Sequence, residues 1–251
     1  MSLKKHIPNI VTLLNLFCGA IAVIFAVYNN FVAAAIFVFL GIFFDFFDGL
    51  LARKLNVQSP LGIQLDSLAD MVTSGLVPGI VMFKLLSMAL DTPYFVESST
   101  EWSTEWTGFN ISWLPLMGLF ITLASAYRLA KFNIDEDQQS YFKGLPTPAN
   151  ALLIISLPLI MEFQNSDLIN SIIMNQWFLI LLTLVSCYLL NSSIKLFALK
   201  FKNYGFKDNA VRYIFVILTL VLLVLLQFAA IPIILLMYIL FSLVSKSLTS
   251  D

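Results

Sequence analysis

The chain has 251 residues, of which 59% are hydrophobic and only 12% are charged. A soluble domain carries about 45–50% apolar and about 25% charged residues, so the composition excludes an ordinary cytosolic globule and a disordered chain. The net charge of −1 gives no indication of a nucleic-acid partner. The two cysteines lie within apolar runs, which excludes a disulfide-stapled secreted module. A polytopic helical membrane protein remains.

Continuous apolar runs predict an all-α, polytopic transmembrane helical bundle of about eight spans. A helix needs about 20 apolar residues to cross the hydrocarbon core of a bilayer, and most of the runs approach this length. The predicted spans are Ile7–Tyr28, Phe31–Arg53, Pro60–Leu90, Ser112–Lys131, Pro148–Phe163, Ile172–Leu190, Val211–Phe228 and Ile231–Ser247.

The basic residues indicate how these spans are oriented, because Lys and Arg collect on the cytoplasmic side of a membrane. With the N-terminus inside, the inner segments hold 13 of the 14 basic residues, and only Lys84 falls within a span. The outer loop Asp91–Ser112 carries four acidic residues and no Lys or Arg. We therefore expect the N- and C-termini to be cytoplasmic.

Four aspartates lie in or near the membrane within one short segment: Asp45, Asp48, Asp66 and Asp70. A charged side chain at bilayer depth costs several kcal/mol unless it is paired, solvated or metal-bound. At about 100° per residue, the first two share one helix face and the last two share a face of the next helix. Ser59 is a favourable N-cap, which places the turn at Leu55–Ser59. The two acidic faces can then oppose each other near the inner membrane surface.

Carboxylates gathered with few cations indicate a divalent metal site. Oxygen ligands favour Mg²⁺, Mn²⁺ or Ca²⁺ over Zn²⁺, and two ions about 4 Å apart could share these ligands and clamp a pyrophosphate. The alternative is a transporter whose aspartates line a proton or cation pathway. Small residues beside the aspartates favour metal–phosphate chemistry because they leave space for a ligand; they are Gly49, Ala52 and Gly62.

The same segment fits the pattern D-x2-D-G-x2-A-R-x8-G-x3-D-x3-D, which is the signature of the CDP-alcohol phosphotransferase family. Every fixed position matches: Asp45, Asp48, Gly49, Ala52, Arg53, Gly62, Asp66 and Asp70. The resemblance implies a membrane enzyme that displaces CMP from a CDP-linked lipid or alcohol. It also implies that the first three aspartates bind two divalent ions, Mg²⁺ or Mn²⁺. The fourth would be a neighbour of the metals and the general base.

Further segments resemble the CDP-diacylglycerol–serine O-phosphatidyltransferases of bacteria and archaea. They are IPNIVTLLNLFCG from Ile7, LDSLAD around Asp66, YRLAKFN at Tyr127–Asn133 and FKGLPTPANA at Phe142–Ala151. The resemblance implies CDP-diacylglycerol and L-serine as substrates, phosphatidylserine and CMP as products, and a homodimer. We expect one integral membrane domain over residues 1–251. Its catalytic core would cover about 7–165 and additional C-terminal helices about 172–247.

Candidate residues for CDP-diacylglycerol lie around the signature. Arg53 can pair with the nucleotide phosphates. The small residues of the signature would shape the cytidine pocket. Thr12 and Asn15 share a stripe of the first span and are candidates for holding the nucleotide, although polar helix–helix contacts explain both residues equally well.

The serine carboxylate needs a cation, for which Arg128 and Lys143 are the candidates, with Asn133 and Thr147 as polar partners. The alternative is that these cations contact the headgroups of membrane lipids. Glycerol 3-phosphate, an inositol phosphate or an amino alcohol remains a possible acceptor in place of serine. A phosphorylated acceptor would need a denser basic pocket than Arg128 and Lys143 provide. We expect the active site to face the cytoplasm from the cell membrane.

Overall fold

The computed structural model describes residues 6–91, 113–134, 142–196 and 206–248. The described helices are α1 (Ile7–Val27), α2 (Phe31–Lys54), α3 (Pro60–Asp70), α4 (Val77–Ala89), α5 (Phe120–Ile134), α6 (Thr147–Phe163), α7 (Asp167–Ile173), α8 (Gln176–Asn191), α9 (Phe206–Leu226) and α10 (Ala230–Leu248). A two-residue strand β1 (Phe142–Lys143) pairs antiparallel with a second, β2 (Lys195–Leu196). Apart from this short pairing the structure is helical, which confirms the expected all-α class. Most of the predicted outer loop lies outside the described residues.

Several helices are long and apolar enough to cross a membrane. The stretches that meet this condition among the described residues are Ile7–Val27, Phe31–Lys54, Pro60–Ala89 and Arg212–Leu243. The helices α7 and α8 together form one more candidate, although they are bent by 60°. The helix α6 is apolar but shorter. The predicted total of eight spans stays a prediction.

The stretch Arg212–Leu243 reverses direction at a 3₁₀ turn, Gln227–Ala229. The ring of Phe215 on α9 lies 5.8 Å from that of Tyr238 on α10, centroid to centroid. Residues 23 positions apart on one straight helix would be separated by about 35 Å. The two helices therefore pack side by side as a hairpin, and they correspond to the last two predicted spans.

The sixth predicted span, Ile172–Leu190, does not form one helix. The chain bends between Ile173 and Gln176, and α8 begins only after the bend. The side chain of Asn175 causes this start, because its Oδ1 accepts hydrogen bonds from the backbone N–H groups of Trp177 at 2.9 Å and Phe178 at 3.2 Å. An N-cap of this kind ends the preceding helix and begins the next one. Hydropathy alone does not show such a bend.

The stretch Pro60–Ala89 lies at the centre of the bundle. In this stretch 67% of the apolar window is buried, against 33% for α1, 28% for α2 and 11% for the last hairpin. Its middle, Met71–Leu76, is π-helical and directly follows Asp70. Short π-helical segments occur frequently at functional sites, because the wider turn changes which side chains share a face. The buried position and the π-helical geometry are thus both found in the stretch that carries Asp66 and Asp70.

The fold depends on close approach of the segment before α5 to the backbone of α4. A Cβ atom added at Gly118 would lie 2.8 Å from both the carbonyl carbon of Met82 and the Cα of Phe83. Backbone atoms cannot rotate away as a flexible side chain can. We therefore expect Gly118→Ala to lower the free energy of unfolding by about 1–3 kcal/mol, measured as a lower thermal midpoint of the detergent-solubilised protein.

The matched control is Gly49→Ala. A Cβ atom at Gly49 would have as its nearest neighbour Nη2 of Arg53, 3.9 Å away, at the end of a flexible side chain. This variant should keep the thermal midpoint of the wild-type protein. A Gly118→Ala protein with an unchanged midpoint would contradict the packing between the two segments.

Candidate active site

The hairpin formed by α2 and α3 brings the aspartates together. The helix α2 ends at Lys54, and α3 begins at Pro60 after a short turn. The hydroxyl of Ser59 accepts a hydrogen bond from the backbone N–H of Gly62 at 3.1 Å and so caps α3. The turn predicted at Leu55–Ser59 is confirmed, and with it the opposition of the two acidic faces.

Three aspartates form a compact acidic group, which we call the acidic triad: Asp45, Asp48 and Asp66. One carboxylate oxygen of each lies within 4.8 Å of the others. Asp48 is buried, and the other two are half-buried. Oxygens about 2.0–2.6 Å from one cation are separated by no more than about 5 Å, so this group could hold a divalent metal ion. The all-oxygen donor set fits a hard cation such as Mg²⁺ or Mn²⁺.

Asp48 is held in place by the first helix. The Thr12 hydroxyl lies 2.5 Å from Oδ2 of Asp48 and 3.1 Å from the backbone oxygen of Pro8. Only the carboxylate is a charged acceptor, and donation to a charged acceptor gives the stronger hydrogen bond. Thr12 therefore orients one member of the acidic triad in addition to lining the space beside it.

Asp70 lies one turn beyond Asp66 and is not a member of the acidic triad. The Nδ2 of Asn15 donates to Oδ1 of Asp70 at 3.4 Å. The Oδ1 of Asn15 accepts from the hydroxyl of Thr73, in the π-helical segment, at 2.8 Å. This second bond turns the nitrogen of the amide toward Asp70. The guanidinium of Arg128 also interacts electrostatically with Asp70.

A cleft of about 350 Å³ opens beside the acidic triad, between the beginning of α1 and the α2–α3 hairpin. This volume lies in the range of small-molecule pockets. Most residues predicted for the nucleotide line it: Thr12, Gly49, Ala52, Arg53 and Gly62. Asn15 does not line the cleft. Its place against Asp70 and Thr73 agrees with the alternative of a polar helix–helix contact.

Sequence reasoning missed several residues that line the cleft: Pro8, Asn9, Val57, Gln58, Ser59 and Ile63. A signal for Asn9 was present, because it lies three residues before Thr12 and so on the same helix face. Val57 and Gln58 belong to the turn, where no periodicity indicates the direction of a side chain. Their place could be known only once the turn geometry was known.

A second, smaller recess of about 20 Å³ lies among cationic side chains. Its lining residues are Arg128, Lys131, Phe132, Lys143, Leu190, Asn191 and Ser192. Arg128 is only 8% exposed, and its Nε has no hydrogen-bond partner among the described residues. The two cations predicted to meet a carboxylate, Arg128 and Lys143, thus line one recess.

The two polar partners predicted for that carboxylate lie elsewhere. The Nδ2 of Asn133 donates to the hydroxyl of Ser67 on α3 at 2.9 Å, and Asn133 does not line the recess. Thr147 is buried at the beginning of α6 and does not line it either. The residues that take their place come from the end of α8, a region in which the sequence offered no motif.

Comparison with known proteins identifies the family. A family model described as CDP-alcohol phosphatidyltransferase matches residues 5–189. The chain belongs to this family. The matched region contains the acidic triad, Asp70 and the whole lining of the cleft, and together with the long apolar helices it makes the chain a membrane protein. Membership in this family favours metal–phosphate chemistry over the transporter alternative.

Several relatives carry the same name, CDP-diacylglycerol–serine O-phosphatidyltransferase. The protein of Bacillus subtilis is 35% identical over 153 residues, which cover 61% of this chain and 75% of the relative. The protein of Methanocaldococcus jannaschii is 30% identical over 167 residues, which cover 66% of each chain. The protein of Saccharomyces cerevisiae is 28% identical over 173 residues, which cover 62% of this chain and 55% of the relative.

The bond from Thr12 to Asp48 can be tested by metal binding. Removal of a partner that orients a metal ligand typically weakens metal affinity by about 10–100-fold. We expect Thr12→Ala to weaken the binding of Mn²⁺, measured by electron paramagnetic resonance on the purified protein, by about tenfold or more. Thr12→Ser keeps the hydroxyl and should bind Mn²⁺ as the wild type does. Equal affinities in Thr12→Ala and wild type would show that this hydrogen bond does not support the metal site.

Proposed function

We propose that the chain transfers the phosphatidyl group of CDP-diacylglycerol to L-serine, giving phosphatidylserine and CMP. The observation that carries the proposal is the acidic triad at the edge of a cleft of about 350 Å³. Relatives named for this reaction support it, since the match to the Bacillus subtilis protein covers three quarters of that relative. The match to the yeast protein covers about half of its length.

The acidic triad would hold the metal, with Mg²⁺ or Mn²⁺ as the ion and two ions as the number. Bound divalent cations neutralise negative charge on a pyrophosphate and on its leaving group. The chain supplies the ligands from two helices whose separation is fixed by one short, capped turn. It also supplies Thr12, which holds Asp48 in one orientation. This rigid support lets the ligand oxygens stay close in spite of their mutual repulsion.

The cleft would receive the CDP part of the lipid. Arg53 lies at the end of α2 and lines the cleft, where its guanidinium can pair with phosphate oxygens. Gly49, Ala52 and Gly62 line the same walls and carry little or no side chain, which leaves room for a flat base. The acyl chains would remain among the lipids that surround the outward faces of the helices.

In the proposed step the serine hydroxyl oxygen bonds to the phosphorus that carries the diacylglycerol. The bond from that phosphorus to the bridging oxygen of the pyrophosphate breaks, and CMP leaves with that oxygen and its electron pair. Asp70 takes the hydroxyl proton. Asn15 donates a hydrogen bond to the Asp70 carboxylate, and Arg128 interacts with this carboxylate electrostatically. Direct attack fits the site, because neither the cleft nor the recess is lined by a described cysteine or histidine that could form a covalent intermediate.

The acceptor would bind at the recess, with Arg128 and Lys143 meeting its carboxylate. The three cations there include Lys131, which is exposed and which the sequence places on the same side of the membrane but not among the candidates for the carboxylate. The recess is therefore more basic than expected, and glycerol 3-phosphate is the rival acceptor that this observation favours. The relatives named for serine favour the amino acid.

We also propose the finer organisation of the molecule. It is a homodimer of single integral membrane domains in the cell membrane, each with about eight spans. Both termini and the active site face the cytoplasm. The distribution of basic residues supports this orientation, and the dimer is what the resemblance to the family implies. The catalytic unit extends at least to Ser192, beyond the expected limit near residue 165, because the end of α8 lines the recess.

An assay of CMP release tests the proposal. Purified protein with CDP-diacylglycerol, Mn²⁺ or Mg²⁺ and L-serine should release CMP, and chelation of the metal should stop the release. Asp70→Asn removes the proposed base and should lower kcat by about 10²-fold or more. Asp45→Asn removes one ligand of the acidic triad and should also abolish turnover.

The matched control is Asp167→Asn, which makes the same chemical change at an exposed residue at the beginning of α7. It should keep full activity. Release of CMP with glycerol 3-phosphate and none with serine would move the assignment to the phosphorylated acceptor. Undiminished turnover after complete chelation would contradict the metal-dependent mechanism.

The glycine at position 49 tests whether the cleft receives the nucleotide. A Cβ atom there makes only an ordinary contact with the flexible end of Arg53, so Gly49→Ala should fold normally while taking volume from the cleft. We expect the KM for CDP-diacylglycerol to rise by about tenfold or more, with little change in the KM for serine. If the two KM values rise equally, or neither does, the nucleotide does not lie against this wall.

A further inference from the structure

The recess has two chemically different walls. One wall carries the cations, from α5 and from β1: Arg128, Lys131 and Lys143. The other wall is the C-terminal end of α8, with Asn191 and Ser192. The backbone carbonyl groups at the C-terminal end of a helix carry partial negative charge and favour a cation. A group of positive charge and a group of negative charge can therefore each find a partner in the same recess.

The orientation of the Asn191 amide is fixed by its neighbours. Its Nδ2 lies 3.1 Å from the backbone oxygen of Ala124 on α5 and 3.3 Å from that of Cys187 on α8. Both neighbours are acceptors, so the nitrogen of the amide must face them, and Oδ1 points the other way. This Oδ1 is buried and accepts no hydrogen bond within the described residues. A buried acceptor without a donor is unfavourable, so a ligand that donates a hydrogen bond to it relieves part of that cost.

The two walls are tied together by the backbone. The N–H of Leu145 donates to the carbonyl of Leu189 at 2.9 Å, and the N–H of Gly144 donates to that of Ile194 at 2.9 Å. Gly144 has a φ of +73°, and a Cβ atom there would lie 2.7 Å from the carbonyl oxygen of Leu190. Glycine is thus required next to Lys143. These contacts hold the cationic wall directly against the end of α8.

We propose that Asn191 Oδ1 accepts a hydrogen bond from the ammonium group of the acceptor, while Arg128 and Lys143 meet its carboxylate. The recess then recognises zwitterionic α-amino acids by both of their charged groups. Its volume of about 20 Å³ fits one small polar group, so the ammonium group would enter it while the carboxylate contacts the cations at its rim and the hydroxyl stays outside. Asn191 and Ser192 lie beyond residues 5–189, which the family model matches. The inference rests on the proposed transfer to serine and adds the residue that recognises its amino group.

Acceptors that lack one charge leave one wall without a partner. A phosphorylated alcohol has no ammonium group for Asn191. An amino alcohol has no carboxylate for the orphaned Nε of Arg128. A site built to hydrogen-bond a polar group rejects analogues without that group far more strongly than a hydrophobic pocket rejects a missing methylene. The arrangement therefore selects an amino acid against both rivals.

The experiment compares Asn191→Ala with wild type on two acceptors, L-serine and 3-hydroxypropionate, which is serine without the amino group. We expect Asn191→Ala to raise the KM for serine by about tenfold or more, with kcat changed less than about threefold. The KM for 3-hydroxypropionate, or its inhibition constant against serine where turnover is slow, should stay unchanged. Asn191→Ser keeps a hydroxyl oxygen that can accept a hydrogen bond, so it should raise the KM for serine less than Asn191→Ala does. This second variant keeps the test valid if Asn191→Ala folds poorly.

The matched control is Asn170→Ala, at an amide of α7 whose Nδ2 donates to Oδ1 of Asn165 at 2.9 Å. It should leave both acceptors unaffected. Equal losses for serine and 3-hydroxypropionate would overturn the inference, because they would show a structural role of Asn191 only. Unchanged serine KM values in both variants would overturn it as well. Wild-type protein that releases no CMP with serine would defeat the proposed function itself, a result that these variants cannot produce.

Discussion

Mutual repulsion among carboxylates is the constraint on which the structure of this site depends. Oxygens of Asp45, Asp48 and Asp66 lie within 4.8 Å of one another on helices that face an apolar bilayer. Like charges at this distance repel far more strongly in a medium of low permittivity than in water. Such a group persists only where protons or cations neutralise it and where the backbone cannot relax. The short capped turn between α2 and α3 provides the second condition, and a divalent cation held by the acidic triad would provide the first.

Two polar contacts to the aspartates come from α1, which packs on the central stretch Pro60–Ala89. Thr12 and Asn15, one turn apart on α1, contact Asp48 and Asp70 respectively. Asn15 also accepts from Thr73, which lies in the π-helical segment. The wider π turn directly follows Asp70, so it sets where Thr73 meets α1. One buried amide thereby links the position of the proposed base to a local irregularity of the central helix.

The sequence predicted the parts of the site that depend on local rules. Helical spacing placed the aspartates on two faces, and Ser59 with Pro60 placed the turn between them, so the acidic triad and five cleft residues followed. It could not predict Asn133 against Ser67 or Asn191 against Ala124, because these contacts join residues more than sixty positions apart. The bend before Gln176 was also hidden, since an apolar window does not register the cap formed by Asn175. The positions of these side chains and of the bend depend on tertiary contacts, which leave no periodic pattern in the sequence.

Arg128 connects the two halves of the proposed reaction. It is almost fully buried, its charge acts on Asp70, and it also lines the recess at the end of α8. A carboxylate that binds in the recess competes with Asp70 for the same guanidinium. Each anion that the guanidinium meets weakens its hold on the other, because a single positive charge is shared between them. Arrival of the acceptor would thus weaken the electrostatic interaction between Arg128 and Asp70 when the hydroxyl comes near the proposed base.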